Sequence, residues 1–349
     1  YFVKVKGEYN MIKPQRLKKG DKVAIVSLSN GMLGEKEFLH KYEIGKKRLE
    51  ENFGLEVITM ENTLKGIKYL YEHPEKRAED LMNAFKDKSI KAIICAIGGD
   101  DTIRLLPYID YNVIKENPKI FMGFSDTTAN HFMMYKAGLV SYYGPAFICD
   151  FAEYVSMYDY TENVIKELLF EALEKYEIKK CEYWTNEHIS WCEENINKSK
   201  TRLIDTKGYE VIQGTGKVVG KLLGGCIDAF PIYNGTEVWP KLEEWKDKIL
   251  FLETSEDKPN VDLLTFYLRN LGAQGILNVA KGIIVGKPQA EEFYEEYKEV
   301  YRKILKEFKR EDMPVLYNVN FGHATPRCAL QYGVVAKVDM KQKKIFVLN

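Results

Sequence analysis

The sequence predicts an α/β protein of two domains, the first built on a parallel sheet with helices on both faces. Three observations support this prediction. Short continuous apolar runs such as "KVAIV", "KAIIC" and "KIFMG" alternate with amphipathic stretches over the first half of the chain. The length of 349 residues exceeds the ordinary size of one compact core. The last strand-like runs alternate in polarity, which indicates a mixed or antiparallel second sheet.

The first domain is predicted from its alternating elements. Strands are predicted over 22–29, 55–60, 91–99, 119–125 and 139–145, with helices over 36–52, 77–86, 101–109 and 127–137. In parallel sheets of this kind, ligands bind beyond the carboxyl ends of the strands. The segments "SLSNGML", "AIGGDDT" and "GFSDTT" all fall at such ends. We therefore expect a functional site at that edge of the sheet.

The chain divides into three predicted regions. An N-terminal domain spans 11–150, a polar connector or covering segment spans 151–210, and a C-terminal domain spans 211–349. The connector contains one predicted helix, "TENVIKELLFEALEKY", and the C-terminal domain a long charged helix over 290–310. Residues 1–10 precede Met11, which resembles a natural start, and we set them aside as an extension.

Charge and cysteine usage exclude several classes of function. Lys+Arg and Asp+Glu balance at 51 each, whereas a nucleic-acid-binding protein normally presents a basic face. No apolar run reaches the length of a membrane span. The six cysteines form no CxxC pair and several lie in apolar runs, which favours a reduced, cytoplasmic protein. Without an HExxH motif or a Cys/His cluster in the sequence, we predict no metal site.

Three residues at probable strand ends carry complementary chemistry. Ser125 stands between a buried strand and a helix, where a serine can cap the helix or act as an exposed nucleophile. His323, in "NFGHATP", lies on a loop that suits either a base or a hydrogen-bonded structural histidine. Glu253, in "FLETSED", either lies outside the sheet or orients a histidine. Sequence order alone does not show that the three meet.

Two glycine-rich segments are candidate ligand-binding loops, and only the second is expected to contribute to the site. "GTGKVVG" resembles a dinucleotide-binding loop, but a strand follows it instead of a helix, so we do not expect a nicotinamide cofactor. "IGGDD" places Gly98 and Gly99 directly after a strand. Such glycines let backbone amides approach a ligand and form an oxyanion hole, or they simply make the turn before the next helix.

Seven collinear segments together resemble the S66 serine peptidases. They are "LKKGDKVAIVSLS", "AIGGDDTIRLLPYIDY", "FMGFSDTTANHFMMYKAGLVSYYGP", "GKLLGGCIDAF", "FLETSEDKP", "NLGAQGIL…KGIIVGK" and "NVNFGHATPRCALQYGVVAKVD". That family contains L,D-carboxypeptidases and microcin C self-immunity peptidases. The resemblance implies an N-terminal flavodoxin-like domain and a smaller, β-rich C-terminal α/β domain. It also implies a cytoplasmic homodimer without a metal or organic cofactor.

The resemblance further implies a Ser-Glu-His triad, which its motifs assign to Ser125, Glu253 and His323. Backbone amides near Gly98, Gly99 and Asp126 are the expected oxyanion donors. The segments "IGGDDTIRLLPYIDY" and "YWTNE" are closer to the microcin immunity branch. This favours a small peptide or peptidyl-nucleotide substrate, with muropeptide cleavage as the alternative and a non-catalytic binding protein as a further one.

Three residues are expected to contact the substrate. Asp100 follows the paired glycines, and Trp184 is the positional candidate for an aromatic residue that stacks on a nucleotide-like group, although a lid or interface role is also open. Cys226 follows the glycines of "LLGGC", where the family commonly has an asparagine.

Overall fold

The N-terminal half has the predicted alternating architecture. The computed structural model describes residues 11–348, so residues 1–10, which we set aside above, and residue 349 lie outside it. The strands are β1 (Lys22–Val26), β2 (Glu56–Thr59), β3 (Ile90–Cys95), β4 (Ile120–Gly123) and β5 (Tyr142–Tyr143). The helices are α1 (Leu39–Phe53), α2 (Gly66–Glu72), α3 (Pro74–Lys86), α4 (Tyr111–Glu116) and α5 (Thr128–Lys136). The predicted helix over 101–109 is a 3₁₀ helix, Thr102–Tyr108, that contains Pro107.

These strands pair in parallel in the order β2-β1-β3-β4-β5. This is the strand order of flavodoxin-like folds, and right-handed crossovers from it place helices on both faces of the sheet. Residues 23–26 and 120–123 are fully buried, as their continuous apolar character predicts.

The connector is more ordered than its composition indicates. It contains α6 (Asp159–Leu169), β6 (Lys175–Ile178), β7 (Tyr183–Trp184) and β8 (Leu203–Ile204). The helix predicted across "TENVIKELLFEALEKY" is wrong in its second half, because 175–178 form a strand that pairs with the C-terminal strand of the chain. Tertiary pairing here overrides local helix propensity.

The C-terminal half is a mixed sheet with helices between its strands. Its strands are β9 (Glu210–Gln213), β10 (Lys217–Cys226), β11 (Lys248–Glu253), β12 (Gly282–Gly286), β13 (Val315–Val319), β14 (Leu330–Gln331), β15 (Val335–Asp339) and β16 (Lys344–Leu348). Its helices are α7 (Phe230–Tyr233), α8 (Leu242–Trp245), α9 (Val261–Ala273), α10 (Ile276–Val279) and α11 (Tyr294–Glu307). Strand order is β6-β16-β15-β10-β11-β12-β13-β9, and β10 to β13 run parallel.

The two sheets exchange strands. β14, from the C-terminal half, pairs antiparallel with β5 and completes a six-stranded N-terminal sheet, while β6 of the connector forms one edge of the eight-stranded sheet. The chain therefore crosses between the two halves more than once, and the boundaries at 150 and 210 stay predictions.

The fold places three potential functional segments at strand ends. The turn after β4, the end of β11 and the loop after β13 carry Ser125, Glu253 and His323 respectively. No helix among residues 11–348 is both long and apolar enough to cross a membrane. The structure contains one chain, so the homodimer stays a prediction.

Candidate active site

Ser125 occupies a strained turn directly after β4. Its φ is 67°, in the left-handed region that residues with a side chain rarely adopt. A 3₁₀ turn, Ser125–Thr127, then leads into α5. The N-cap positions of these two elements are Phe124 and Thr127, and neither side chain makes a capping hydrogen bond. The strain is thus not explained by helix capping, and observed strain of this kind clusters at functional sites.

Two glycines allow this turn to form. A Cβ atom on Gly123 would lie 2.8 Å from Cγ2 of Thr127 and 3.0 Å from Cβ of Cys95. A Cβ atom on Gly98 would lie 2.7 Å from Cβ of Ser125, 2.9 Å from its Oγ and 3.3 Å from the backbone nitrogen of Asp126. Backbone around Gly98 therefore packs directly against the serine side chain.

The Asp126 side chain anchors the turn instead of capping the helix. Its carboxylate is buried and accepts hydrogen bonds from Ser29 Oγ (2.5 Å), the Thr102 backbone N–H (3.0 Å) and the Tyr233 hydroxyl (2.5 Å). Three separate segments of the chain thus hold the residue that follows Ser125. The expected role of the Gly98, Gly99 and Asp126 amides as oxyanion donors stays a prediction.

Glu253 and His323 form a buried hydrogen-bonded pair. Glu253 is the last residue of β11 and is 1% exposed. Its Oε2 accepts hydrogen bonds from Nδ1 of His323 at 2.8 Å and from the His323 backbone N–H at 3.1 Å. A Cβ atom on Gly322, whose φ is +83°, would lie 2.4 Å from that oxygen. Glycine at 322 therefore permits the approach that orients the imidazole and leaves Nε2 on the side away from Glu253.

Tyr143 connects the Ser125 turn to this carboxylate. The Ser125 backbone N–H donates to the Tyr143 hydroxyl at 3.1 Å, and that hydroxyl donates a short hydrogen bond to Oε1 of Glu253. Burial, and next the charge of Glu253, raise the pKa of Tyr143 well above its usual range, so the hydroxyl stays a donor. The sequence reasoning missed this residue, because "LVSYYGP" indicates only a buried strand.

A second carboxylate lies at the outer nitrogen of the imidazole. Glu256 Oε2 is 2.9 Å from Nε2 of His323, in an ion contact without hydrogen-bond alignment. Burial acts to lower the pKa of His323, but the Glu253 and Glu256 carboxylates outweigh it and raise that pKa to about 10. The contact with His323 in turn lowers the pKa of Glu256 to about 2. In this conformation the two carboxylates therefore favour the protonated imidazole.

A cavity of about 300 Å³ opens beside these residues. Ser125 and His323 both line it, together with Gly98, Gly99 and Glu256. Its remaining lining comes from several parts of the chain and comprises Asn30, Met32, Ile97, Phe124, Cys149, Thr185, Glu187, His188, Trp191, Lys200, Gln289, Thr325 and Arg327. The connector thus contributes part of the lining, and its role as a covering segment stays a prediction.

The three expected substrate contacts do not line this cavity. Asp100 is exposed beyond the paired glycines. Trp184 is half-buried, with its ring 4.4 Å from Nζ of Lys287, whereas Trp191 of the same connector does line the cavity. Cys226 is buried, and its Sγ donates to Asp228 at 3.4 Å. Substrate contact by these three residues stays a prediction, and the sequence reasoning, which selected Trp184 by position, missed Trp191.

The fold brings together a cysteine, a carboxylate and a histidine that the sequence keeps far apart. Ligand atoms of Cys226, Glu253 and His323 all lie within 4.8 Å of one another, a cluster that the sequence spacing did not reveal. The expectation of no metal site stays a prediction. The donor chemistry suits a metal poorly. Both oxygens of Glu253 already accept hydrogen bonds, and burial raises the pKa of the Cys226 thiol well above its usual range.

Comparison with known proteins identifies both halves of the chain. Residues 23–144 match the N-terminal domain, and residues 219–338 the C-terminal domain, of the Peptidase S66 LD-carboxypeptidases. A putative carboxypeptidase of Treponema pallidum is 34% identical over 277 residues, which cover 78% of this chain and 77% of that protein. The microcin C7 self-immunity protein MccF of Escherichia coli is 30% identical over 275 residues, or 78% of each chain.

A solved structure agrees with this assignment over nearly the whole chain. The MccF-like protein from Streptococcus pneumoniae in complex with AMP has a TM-score of 0.85 and 37% identity, and the match covers 94% of this chain and 98% of that one. The agreement includes the α/β fold and the two matched domains. The chain therefore belongs to the S66 peptidase family, whose carboxypeptidases are hydrolases.

Proposed function

We propose that this protein is a serine peptidase that hydrolyses an amide bond through an acyl-enzyme, with Ser125 as nucleophile. One observation carries the proposal: a strained serine turn and the outward face of a carboxylate-bound histidine line the same cavity. A nucleophile, a base and a group that orients the base are the minimum for this chemistry.

The residues divide the reaction between them. His323 Nε2 removes the Ser125 proton as Oγ attacks the carbonyl carbon, and Glu253 stabilises the imidazolium through Nδ1. Amides of Gly98, Gly99 and Asp126 stabilise the oxyanion, and each such donor is worth about 3 kcal/mol. His323 then protonates the leaving amine, and water, deprotonated by the same imidazole, releases the acyl group and restores Ser125.

Base catalysis requires Glu256 to leave the outer nitrogen of His323. While the carboxylate stays there, the imidazole holds its proton and cannot accept one from Ser125. The side chain of Glu256 is 67% exposed, so it is free to turn into solvent when a substrate enters. Its departure removes one of the two carboxylates that raise the histidine pKa.

The substrate we favour is a peptidyl- or aminoacyl-adenylate amide. The relatives support this choice, because one is a microcin C7 self-immunity protein and a structural neighbour contains AMP. The alternative is release of terminal D-Ala from muropeptides, which the carboxypeptidase names of other relatives support. A non-catalytic small-molecule binding protein is the remaining alternative.

Covalent labelling separates an enzyme from a binding protein. A fluorophosphonate probe is expected to add one label to the wild-type protein and none to Ser125→Ala, with Ser190→Ala, an exposed connector serine, as the matched control. Incubation with an aspartyl-adenylate amide and, separately, a tetrapeptide muropeptide then identifies the substrate by mass spectrometry. Unchanged labelling or full turnover by Ser125→Ala would contradict the proposal.

A further inference from the structure

Arg327 lies on the cavity wall beside the nucleophile and is not used in the mechanism above. It lines the cavity although it is only 4% exposed. Its guanidinium carbon lies 4.0 Å from the centroid of the Phe124 ring, and Phe124 immediately precedes Ser125. The same ring meets His323 edge to face, with centroids 4.9 Å apart. The Phe124 ring therefore contacts both the guanidinium and the imidazole.

The hydrogen-bonding capacity of this guanidinium is only partly used. Nη2 donates to Thr325 Oγ1 at 3.1 Å, and Nε lies 3.1 Å from Oδ1 of Asp150 in an ion pair. Within residues 11–348, neither Nε nor Nη1 has an aligned hydrogen-bond partner. Buried polar groups are nearly always hydrogen-bonded, and an unmade bond costs free energy. A partner that enters with a ligand would satisfy these donors.

Two Lys or Arg side chains line the cavity, Lys200 and Arg327, and both are paired with a carboxylate. Of the two, Arg327 has buried donors without an aligned hydrogen-bond partner among residues 11–348. Lys200, which also lines the cavity, is paired at 2.6 Å with Glu153. The second oxygen of Asp150 accepts a hydrogen bond from the Ala146 backbone N–H, which fixes this carboxylate beside Arg327. Glu256 is the exposed anion of the cavity, and in the proposed mechanism it leaves His323 before the reaction starts.

We infer that Arg327 binds an anionic group of the substrate, a carboxylate or a phosphate, next to the bond that Ser125 attacks. The planar guanidinium fork matches either anion and is held in place by stacking on Phe124 and by Asp150. The inference rests on the proposed function and defines its substrate class: the acyl or leaving part carries a negative charge at this wall of the cavity.

Binding to the inactive protein tests this inference without turnover. Calorimetry on Ser125→Ala would compare AMP with adenosine, and a muropeptide tetrapeptide ending in D-Ala with its C-terminal amide. We expect at least one anion to bind about tenfold or more tightly than its neutral counterpart, as a charge-assisted hydrogen bond implies. Which pair shows the preference identifies phosphate or carboxylate as the source of the anion.

Substitutions then assign the preference to Arg327. Arg327→Gln is expected to remove the preference for the anionic compound, while the neutral compounds bind as before. Arg327→Lys keeps the charge but not the planar fork and is expected to retain part of that preference. Lys200→Gln, the matched control, removes the lysine side chain of the cavity but leaves the guanidinium and its supports, and it is expected to keep the preference. Arg327→Lys also keeps the test decisive if the glutamine variant does not fold.

Several results would overturn the inference. One is an equal loss of anionic and neutral binding in both Arg327 variants, which would indicate a structural role. Others are an unchanged preference in both variants, or a Ser125→Ala parent that prefers neither anion. None of these results affects labelling of Ser125 by the fluorophosphonate probe, so failure here is distinguishable from failure of the proposed function.

Discussion

Replacement of Tyr143 by phenylalanine tests how the two halves of the site are joined. The change removes one hydroxyl that accepts from the Ser125 N–H and donates to Glu253, and it keeps the ring. That ring packs against Phe251 and Tyr332, with centroids 5.6 Å and 6.4 Å away, so no cavity is expected. The hydrogen bonds are therefore changed with little change in packing.

The magnitude follows from the two bonds. A hydrogen bond to a charged group is worth about 1.5–3 kcal/mol, and the neutral bond from Ser125 about 1 kcal/mol. We expect the free energy of unfolding to fall by about 2–4 kcal/mol, because Oε1 of Glu253 is left buried without its donor. The loosened turn misplaces the nucleophile, and kcat/KM is expected to fall by about 10- to 100-fold.

Urea unfolding and steady-state kinetics measure the two effects. Tyr142→Phe is the matched control, since Tyr142 is the neighbouring residue of β5, equally buried, and points to the opposite face of the sheet. A positioning role predicts that Tyr143→Phe lowers kcat more than it raises KM. Wild-type kcat/KM in Tyr143→Phe, or an equal loss in Tyr142→Phe, would refute this reasoning.

Two further substitutions act on the same site. Glu256→Gln removes one of the two carboxylates that together raise the pKa of His323 from 6.5 to about 10. The acidic limb of the pH profile of kcat/KM is therefore expected to move to lower pH. An acidic limb at the wild-type pH would contradict this expectation. Because the pKa of His323 is higher in the folded than in the unfolded protein, its protonation stabilises the fold. This contribution is fully present below pH 6.5 and is lost as the pH rises through about 10. Urea unfolding of Glu256→Gln at several pH values is expected to show a smaller pH-dependent contribution than in the wild type. Gly98→Ala places a methyl group 2.7 Å from Cβ of Ser125 and 3.3 Å from the backbone nitrogen of Asp126, so the turn at the proposed nucleophile must shift. We expect kcat/KM to fall by about 100-fold or more and the free energy of unfolding to fall by about 1–3 kcal/mol, as at other overpacked sites. An active Gly98→Ala enzyme would show that the segment after β3 is not part of the oxyanion site.

The alternating architecture was readable from the sequence because burial on both faces of a parallel strand leaves a local signature. Residues 23–26 and 120–123 read as continuous apolar runs, and both are fully buried strands. Ser125, Glu253 and His323 were found at strand ends for the same reason, since apolar runs that stop abruptly at a polar residue mark where a sheet ends. These features depend on residues close in sequence.

The tertiary structure alone decided which of these residues meet and what surrounds them. Strand 175–178 forms only because β16 offers an edge, and Tyr143 acquires its role only because Glu253, 110 positions later, lies against it. Glu256 and Arg327 looked like ordinary charged residues until the fold placed one at Nε2 of His323 and the other against Phe124. The sequence by itself determined the elements and the reactive groups, because propensity and burial pattern act over short range. Which of these groups contact one another, and therefore the pKa of His323, depends on distant segments that only the folded chain brings together.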